Sequence, residues 1–288
     1  MWVLYAFCSA LFAGLTAVLA KIGIKDINSH LATALRTIVV VVFAWLIVLI
    51  VGSGETISTI DGHSWLFLIL SGLATGASWI CYFRALQLGN VNQVTPIDKS
   101  STVLTMLLAF ILLGEPLSSN MVLGIILILG GTYLMIERQS GEDATPKNKN
   151  WLFWAVLSAI FASLTAILGK IGITGVESNL GTAIRTMVVL LLAWAIVFAQ
   201  GTQKEICRID KKSWLFLLLS GVATGCSWLF YYRALQEGPA SIVAPIDKLS
   251  ILFTVGFSYL LLREKLNKKA LLGLIILTAG TLLLLWKF

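Results

Sequence analysis

Hydrophobic residues in this chain come in runs of roughly 20, separated by short polar gaps; that is the length at which a helix crosses the hydrocarbon core of a bilayer. The runs fall at about 2–20, 31–51, 64–88, 94–113, 118–136, 151–169, 180–199, 213–237, 243–262 and 269–287. They predict ten transmembrane spans and an all-α integral membrane protein. The longest polar stretch, Glu137–Asn150 (ERQSGEDATPKNKN), mixes both charge signs with one Gly and one Pro, and reads as a linker between two halves.

The halves repeat at an offset of 149 residues. Ser64–Ser101 aligns without gaps to Ser213–Ser250, with 25 of 38 positions identical. The correspondence extends from Ser9/Ser158 through Lys21/Lys170 and Arg36/Arg185 to Glu115/Glu264 and Gly124/Gly273. The chain therefore divides into a five-span repeat at 1–136, a linker at 137–150 and a second five-span repeat at 151–288. Five is odd, so the second copy enters the membrane from the opposite face, and the repeats are inverted, as in many secondary transporters. Loop charges agree with inversion. Lys21 and Lys25 follow span 1, whereas the loops after spans 2 and 4 carry no Lys or Arg. In the second half the bias reverses: Lys204, Arg208, Lys211 and Lys212 follow span 7, and Arg263, Lys265, Lys268 and Lys269 follow span 9. Positive loops stay cytoplasmic, which predicts an internal linker and two external termini.

Composition adds exclusions. The 288 residues are 58% hydrophobic and 12% charged, with mean hydropathy +0.92; soluble domains carry about 25% charged residues. Cys8, Cys81, Cys207 and Cys226 have no metal-type spacing, so neither a disulfide framework nor a metal site is expected. The net charge of +7 sits in loops with no basic, aromatic-interleaved stripe, which argues against nucleic acid. The first run lacks a positive leader and a cleavage site, and reads as a retained span.

Charge inside a span is costly and marks candidate function. Asp98–Lys99 and Asp247–Lys248, in the repeated PIDK, are the main candidates. One reading makes them helix starts, with Pro96 and Pro245 in the first turn and the Asp facing the positive helix end. The other makes them the ends of broken helices whose N–H groups and Lys meet an anionic substrate. Asp98, Thr102 and Thr105 form a polar stripe at helical spacing. Ser78, Tyr82 and Trp79 on span 3, with Ser227 and Trp228 on span 8, could line a partly polar, partly aromatic cavity, or pack in the core. Arg84 and Arg233 end those spans, as interfacial anchors or as gates. Arg36 and Arg185 are expected to pair within the protein. Glu115 and Glu264 are expected to cap the helices that follow them. Gly72, Gly76, Gly221 and Gly225 form two G-x-x-x-G motifs that let helix backbones approach closely.

YFRALQLG followed by LLGEPLSSNMVLGIILILGGTYL in the first half, and YYRALQEG, PIDK and LLREKLNKKALLGLIILTAGTLL in the second, resemble the EamA family of the drug/metabolite transporter superfamily. The resemblance covers nearly the whole chain. It implies ten helices in two inverted halves, a central cavity built mainly from spans 1, 3, 4, 6, 8 and 9, and export as the direction. Arg263 stands where the family has Gly before Glu264. Small multidrug exporters, more loosely similar, carry a glutamate on the first helix; spans 1 and 6 here have no acid, so their cation-for-proton exchange is not supported.

The leading expectation is thus a secondary-active, alternating-access transporter in the plasma membrane for a small polar metabolite. Intramembrane positive charges outnumber the two Asp, which favours an anionic or zwitterionic substrate such as an amino acid. A flippase for a lipid-linked head group is the alternative. No nucleophile or metal constellation indicates an enzyme, and no cofactor is implied. The expected partners are the substrate and the lipid bilayer, with a coupling proton or an exchanged solute left open, as is the choice between monomer and homodimer.

Overall fold

The computed structural model describes residues 1–23, 27–88, 97, 100–135, 150–262 and 268–285. Among them every regular element is helical: α1 (Trp2–Gly23), α2 (Ser29–Val51), α3 (Gly62–Leu88), α4 (Ser101–Leu113), α5 (Ser119–Met135), α6 (Asn150–Gly172), α7 (Ser178–Gln200), α8 (Lys211–Glu237), α9 (Ala240–Lys248), α10 (Ser250–Phe257) and α11 (Lys268–Leu285). Seven segments among the described residues are long and apolar enough to cross a membrane, α9 and α10 counting together as Ala240–Leu261. Three shorter apolar helices lie at Ser101–Leu113, Ser119–Leu134 and Leu271–Leu285. The chain is a multi-pass membrane protein.

Local chemistry sets the helix ends, and does so twice at the repeat offset. Asn28 accepts from the N–H groups of His30 and Leu31 at the start of α2, and Glu177, 149 residues on, accepts from Leu180 N–H at the start of α7. These are the orphan donors of a first turn. Both helices stop at a glycine with positive φ, Gly52 (77°) and Gly201 (70°), a conformation that costs other residues a Cβ clash. Asp61 and Asp210 accept from Ser64 N–H and Ser213 N–H at the entries to α3 and α8.

Packing is reciprocal in the same way. α1 lies along α8 as α6 lies along α3, while α2 meets its counterpart α7 and α5 meets α11. A Cβ at Gly72 would stand 2.7 Å from Val188 Cβ and 2.9 Å from the Arg185 carbonyl; at Gly221 it would stand 2.6 Å from Val39 Cβ and 3.1 Å from the Arg36 carbonyl. Gly76 faces Leu192, and Gly225 faces Phe43. Each of these pairs maps onto the other under the 149-residue shift. With lipid as apolar as leucine, helices hold together by close van der Waals contact and polar bonds and not by hydrophobic exclusion, so small residues mark the crossings. Large apolar side chains instead face outward: Ile50 is 79% exposed and Leu191 68%.

One expectation about helix ends is corrected. Pro245 does not open its helix; α9 starts five residues earlier, at Ala240, and Pro245 sits inside it. Proline lacks the N–H that would reach the Ser241 carbonyl. Farther along, the helix leaves regular bonding at Leu249, whose N–H goes to the Ile246 carbonyl at 2.9 Å. The break follows the Asp247–Lys248 pair.

Candidate functional site

The break in α9 opens on cavities between the two halves. One, of about 300 Å³, is bounded by α1, α3, α6, α7, α8 and α9 and is lined in part by Thr75, Ser78, Arg185, Ser227, Tyr231, Tyr232, Asp247 and Lys248. A second, of about 520 Å³, is lined in part by Arg36, Thr37, Tyr82, Ser101, Thr224 and Lys248. They share walls made by Ser78, Trp79, Ala162, Trp228 and Lys248.

Hydroxyl pairs stitch the walls. Ser9 and Ser227 exchange contacts across α1 and α8: Ser227 Oγ donates to the Ser9 carbonyl at 3.1 Å, and the two hydroxyl oxygens lie 3.3 Å apart. Ser78 and Ser158 repeat the arrangement across α3 and α6: Ser78 Oγ donates to the Ser158 carbonyl at 3.2 Å, and the two hydroxyl oxygens lie 3.3 Å apart. Small hydroxyl residues serve here because they admit close helix contact and satisfy their own polarity inside the bilayer.

Among the described residues Arg185 is the most buried charge, 1% exposed. Its Nε donates to Ser71 Oγ at 3.3 Å and its Nη2 to Thr75 Oγ1 at 2.9 Å. The guanidinium carbon lies 4.2 Å from the Tyr232 ring centroid and 5.2 Å from that of Trp228. Stacking on aromatic faces stabilises a desolvated cation by about 2 kcal/mol or more. Gly169 makes room for this, since a Cβ there would stand 2.5 Å from the Tyr232 ring. No carboxylate among the described residues lies at ion-pair distance from Arg185. Arg36 is its repeat counterpart. Its Nη2 donates to Thr224 Oγ1 at 2.8 Å, as Arg185 does to Thr75, while its buried Nε has no hydrogen-bond partner.

The cap reading of the second PIDK is overturned. Asp247 lies in the last turn of α9, not the first, and its Oδ1 accepts from Ser9 Oγ on α1 at 2.6 Å. Asp98, Lys99 and Glu264 lie outside the described residues. On α4, Thr102 and Thr105 are buried and Thr105 Oγ1 donates to the Ser101 carbonyl, so the member of that face at the cavity is Ser101. Arg84 is exposed, and Arg233 pairs with Glu237 at 2.7 Å on its own helix.

Glu115 is corrected too. It does not cap α5, the helix after it; it caps α9, 125 residues away. Its carboxylate accepts from Ala240 N–H at 2.7 Å, Ser241 N–H at 2.9 Å, Ser241 Oγ at 2.5 Å and Lys170 Nζ at 3.0 Å. Lys170 also donates to the Gly238 carbonyl at 2.5 Å. Burial pushes the Glu115 carboxyl up, but the Ser241 hydroxyl and N–H, the Lys170 charge and the Ala240 N–H outweigh it and hold it below the usual glutamate range. Sequence reasoning passed over Tyr232, while its expectation that Arg185 pairs within the protein is met by Ser71, Thr75, Tyr232 and Trp228.

A helical chain with a polar, cation-rich cavity between its two halves has the design of a membrane transporter. The EamA-like transporter family matches it twice, over residues 1–137 and 149–286. The chain belongs to that family, in the drug/metabolite transporter superfamily. An uncharacterized transporter of a Sinorhizobium species is 50% identical over 137 residues, which is 48% of this chain and 97% of that relative. An uncharacterized transporter of Methanothermobacter thermautotrophicus is 26% identical over 96% of this chain and 84% of its own. Human solute carrier family 35 member G1 is 28% identical over 67% of this chain and 54% of its own. A solved crystal structure matches with a TM-score of 0.78 over 98% of this chain and 96% of its own, at 17% identity, which shows a shared fold. Family and relatives point to a transporter rather than an enzyme.

Proposed function

We propose that this protein is a secondary-active transporter of the plasma membrane. It carries a small polar metabolite, anionic or zwitterionic, by alternating access, in the direction of export that the family resemblance implies. Ten helices form two inverted repeats, 1–136 and 151–288, joined by a cytoplasmic linker. The observation that carries the reading is Arg185. A cation 1% exposed, with no carboxylate at ion-pair distance among the described residues, lines a cavity between the halves. Burying an unpaired charge is expensive, and an anionic guest relieves that cost.

Reciprocal contacts support rocking as the transport movement. The Arg185 Nη2–Thr75 Oγ1 bond has its twin in Arg36 Nη2–Thr224 Oγ1, and the bond from Ser78 Oγ to the Ser158 carbonyl has its twin in that from Ser227 Oγ to the Ser9 carbonyl. Loosening one set while tightening its twin exchanges two arrangements of similar energy, as alternating access requires. Asp247 and Lys248, at the break in α9, are placed to feel both substrate and helix movement. The test is counterflow in proteoliposomes holding purified protein. Preloading with a mixture of amino acids and small organic acids should drive saturable uptake of labelled members. Uptake no faster than in protein-free vesicles across the mixture sinks the proposal.

A further inference from the structure

Among the described residues, three cations, Arg36, Arg185 and Lys248, line the paired cavities, against one carboxylate, Asp247. The carboxylate is engaged by a neutral donor, Ser9 Oγ, so it is not spent on neutralising either arginine. Each arginine is anchored by hydroxyls, Arg185 through Nε and Nη2 and Arg36 through Nη2. The Nε of Arg36 is buried with no hydrogen-bond partner among the described residues. Hydroxyls and aromatic faces orient a guanidinium without cancelling its charge. The lining formed by the described residues therefore carries an excess of two positive charges in a medium that solvates them poorly.

We infer that the substrate is a small organic dianion whose two negative charges are met by Arg185 in one cavity and Arg36 in the other, with Lys248 on the wall between them. This rests on the reading of the chain as a transporter with its site in these cavities. A monoanion leaves one cation of the excess unanswered, and a zwitterion adds no net charge and leaves both. A dianion neutralises the site, and its two charged ends match an arrangement in which the two arginines are repeat counterparts. Cavities of about 300 and 520 Å³ admit a chain of a few carbons or a phosphate monoester. The aromatic walls from Trp79 and Trp228 accept the carbon skeleton between the ends. Guanidinium groups bind carboxylate and phosphate alike in fork geometry, so the common property is double negative charge.

The experiment is equilibrium binding to the purified full chain in nanodiscs near neutral pH, with succinate, glycerol phosphate, propionate and alanine as probes. Succinate or glycerol phosphate should bind at least about tenfold more tightly than propionate and alanine, since the second ion-paired group contributes about one decade. Preference for either dianion supports the inference and identifies its kind. Arg36→Gln should bring the dianion to within about threefold of propionate, because one of its two partners is gone. Arg185→Gln tests the other end, and if that variant fails to fold, the probe series on the parent protein still decides. Propionate or alanine binding as tightly as the dianions overturns the inference, and so does the failure of all four to bind. The transport reading is judged separately, by counterflow: dianion binding without carriage defeats that reading and leaves the site, whereas alanine carriage without dianion binding does the reverse.

Discussion

Glu115→Gln isolates the contact that fixes α9, and with it Asp247 and Lys248, to the other half of the protein. The carboxylate is 10% exposed and Lys170 21%, so solvent screens the pair only partly. Four donors converge on two oxygens: two N–H groups of the α9 first turn, the Ser241 hydroxyl and the Lys170 ammonium. Glutamine keeps the shape but has one acceptor oxygen, so at least one donor on the α9 side is left facing an amide NH2. It also removes the negative charge at a helix N-terminus, worth about 0.3–1 kcal/mol and up to about 2 when partly buried. Hydrogen bonds to a charged group contribute about 1.5–3 kcal/mol, and breaking a buried ion pair costs about 3–5. Because Lys170 is partly exposed and keeps the Gly238 carbonyl, we expect a loss of about 3 kcal/mol. At about 2–4 °C per kcal/mol for large single chains, that lowers Tm by about 6–12 °C. Thermal unfolding of purified protein in one detergent measures it. The folded-state pKa of Glu115 lies below its ordinary value of 4.5. Its contribution is therefore present above about pH 4.5 and is lost as pH falls through the lower, folded value. The parent should lose Tm on acidification through that window, and Glu115→Gln should lose less. A Tm for the variant within about 2 °C of the parent, with the same acid limb, refutes the argument.

Asp247→Asn should reduce transport at matched membrane levels by at least about tenfold while costing about 1–2 kcal/mol of stability, since the Ser9 bond persists without its charge; parental transport rates would make the pair a structural inheritance. Gly72→Ala should destabilise by about 1–3 kcal/mol through overpacking against Val188 and the Arg185 carbonyl, read as a lower Tm than the parent. Cysteines placed at positions 145 and 288 of intact cells report the topology: an impermeant reagent should label 288 and spare 145, and the opposite pattern reverses the membrane orientation.

How much of this was legible in the residues follows from what repeats. A gapless 149-residue offset makes each local feature appear twice, so the long apolar runs and the two G-x-x-x-G crossings stand out above noise. Hydropathy marked the long apolar helices because lipid imposes one condition on every span, and seven segments among the described residues meet it. The site was less legible because its bonds run between halves. Arg185 reaches Ser71 and Thr75 on α3 and the Trp228 and Tyr232 rings on α8, and nothing in the spacing of any single helix points to that meeting. Pro245 misled because proline is commonest in a first turn, and here the packed neighbourhood of α9 holds a proline in the helix interior. Glu115 misled for a related reason: a carboxylate just before a helix usually caps it, but Ala240 and Ser241 bring unpaired N–H groups within 3 Å and Lys170 brings a charge. One signal was available. Lys21/Lys170 and Glu115/Glu264 are opposite charges that both survive duplication at span ends. Two costly charges retained in register are more readily explained by each other than by separate caps, whereas Arg36/Arg185, with no acid at ion-pair distance among the described residues, are the charges that the proposed anionic substrate would answer.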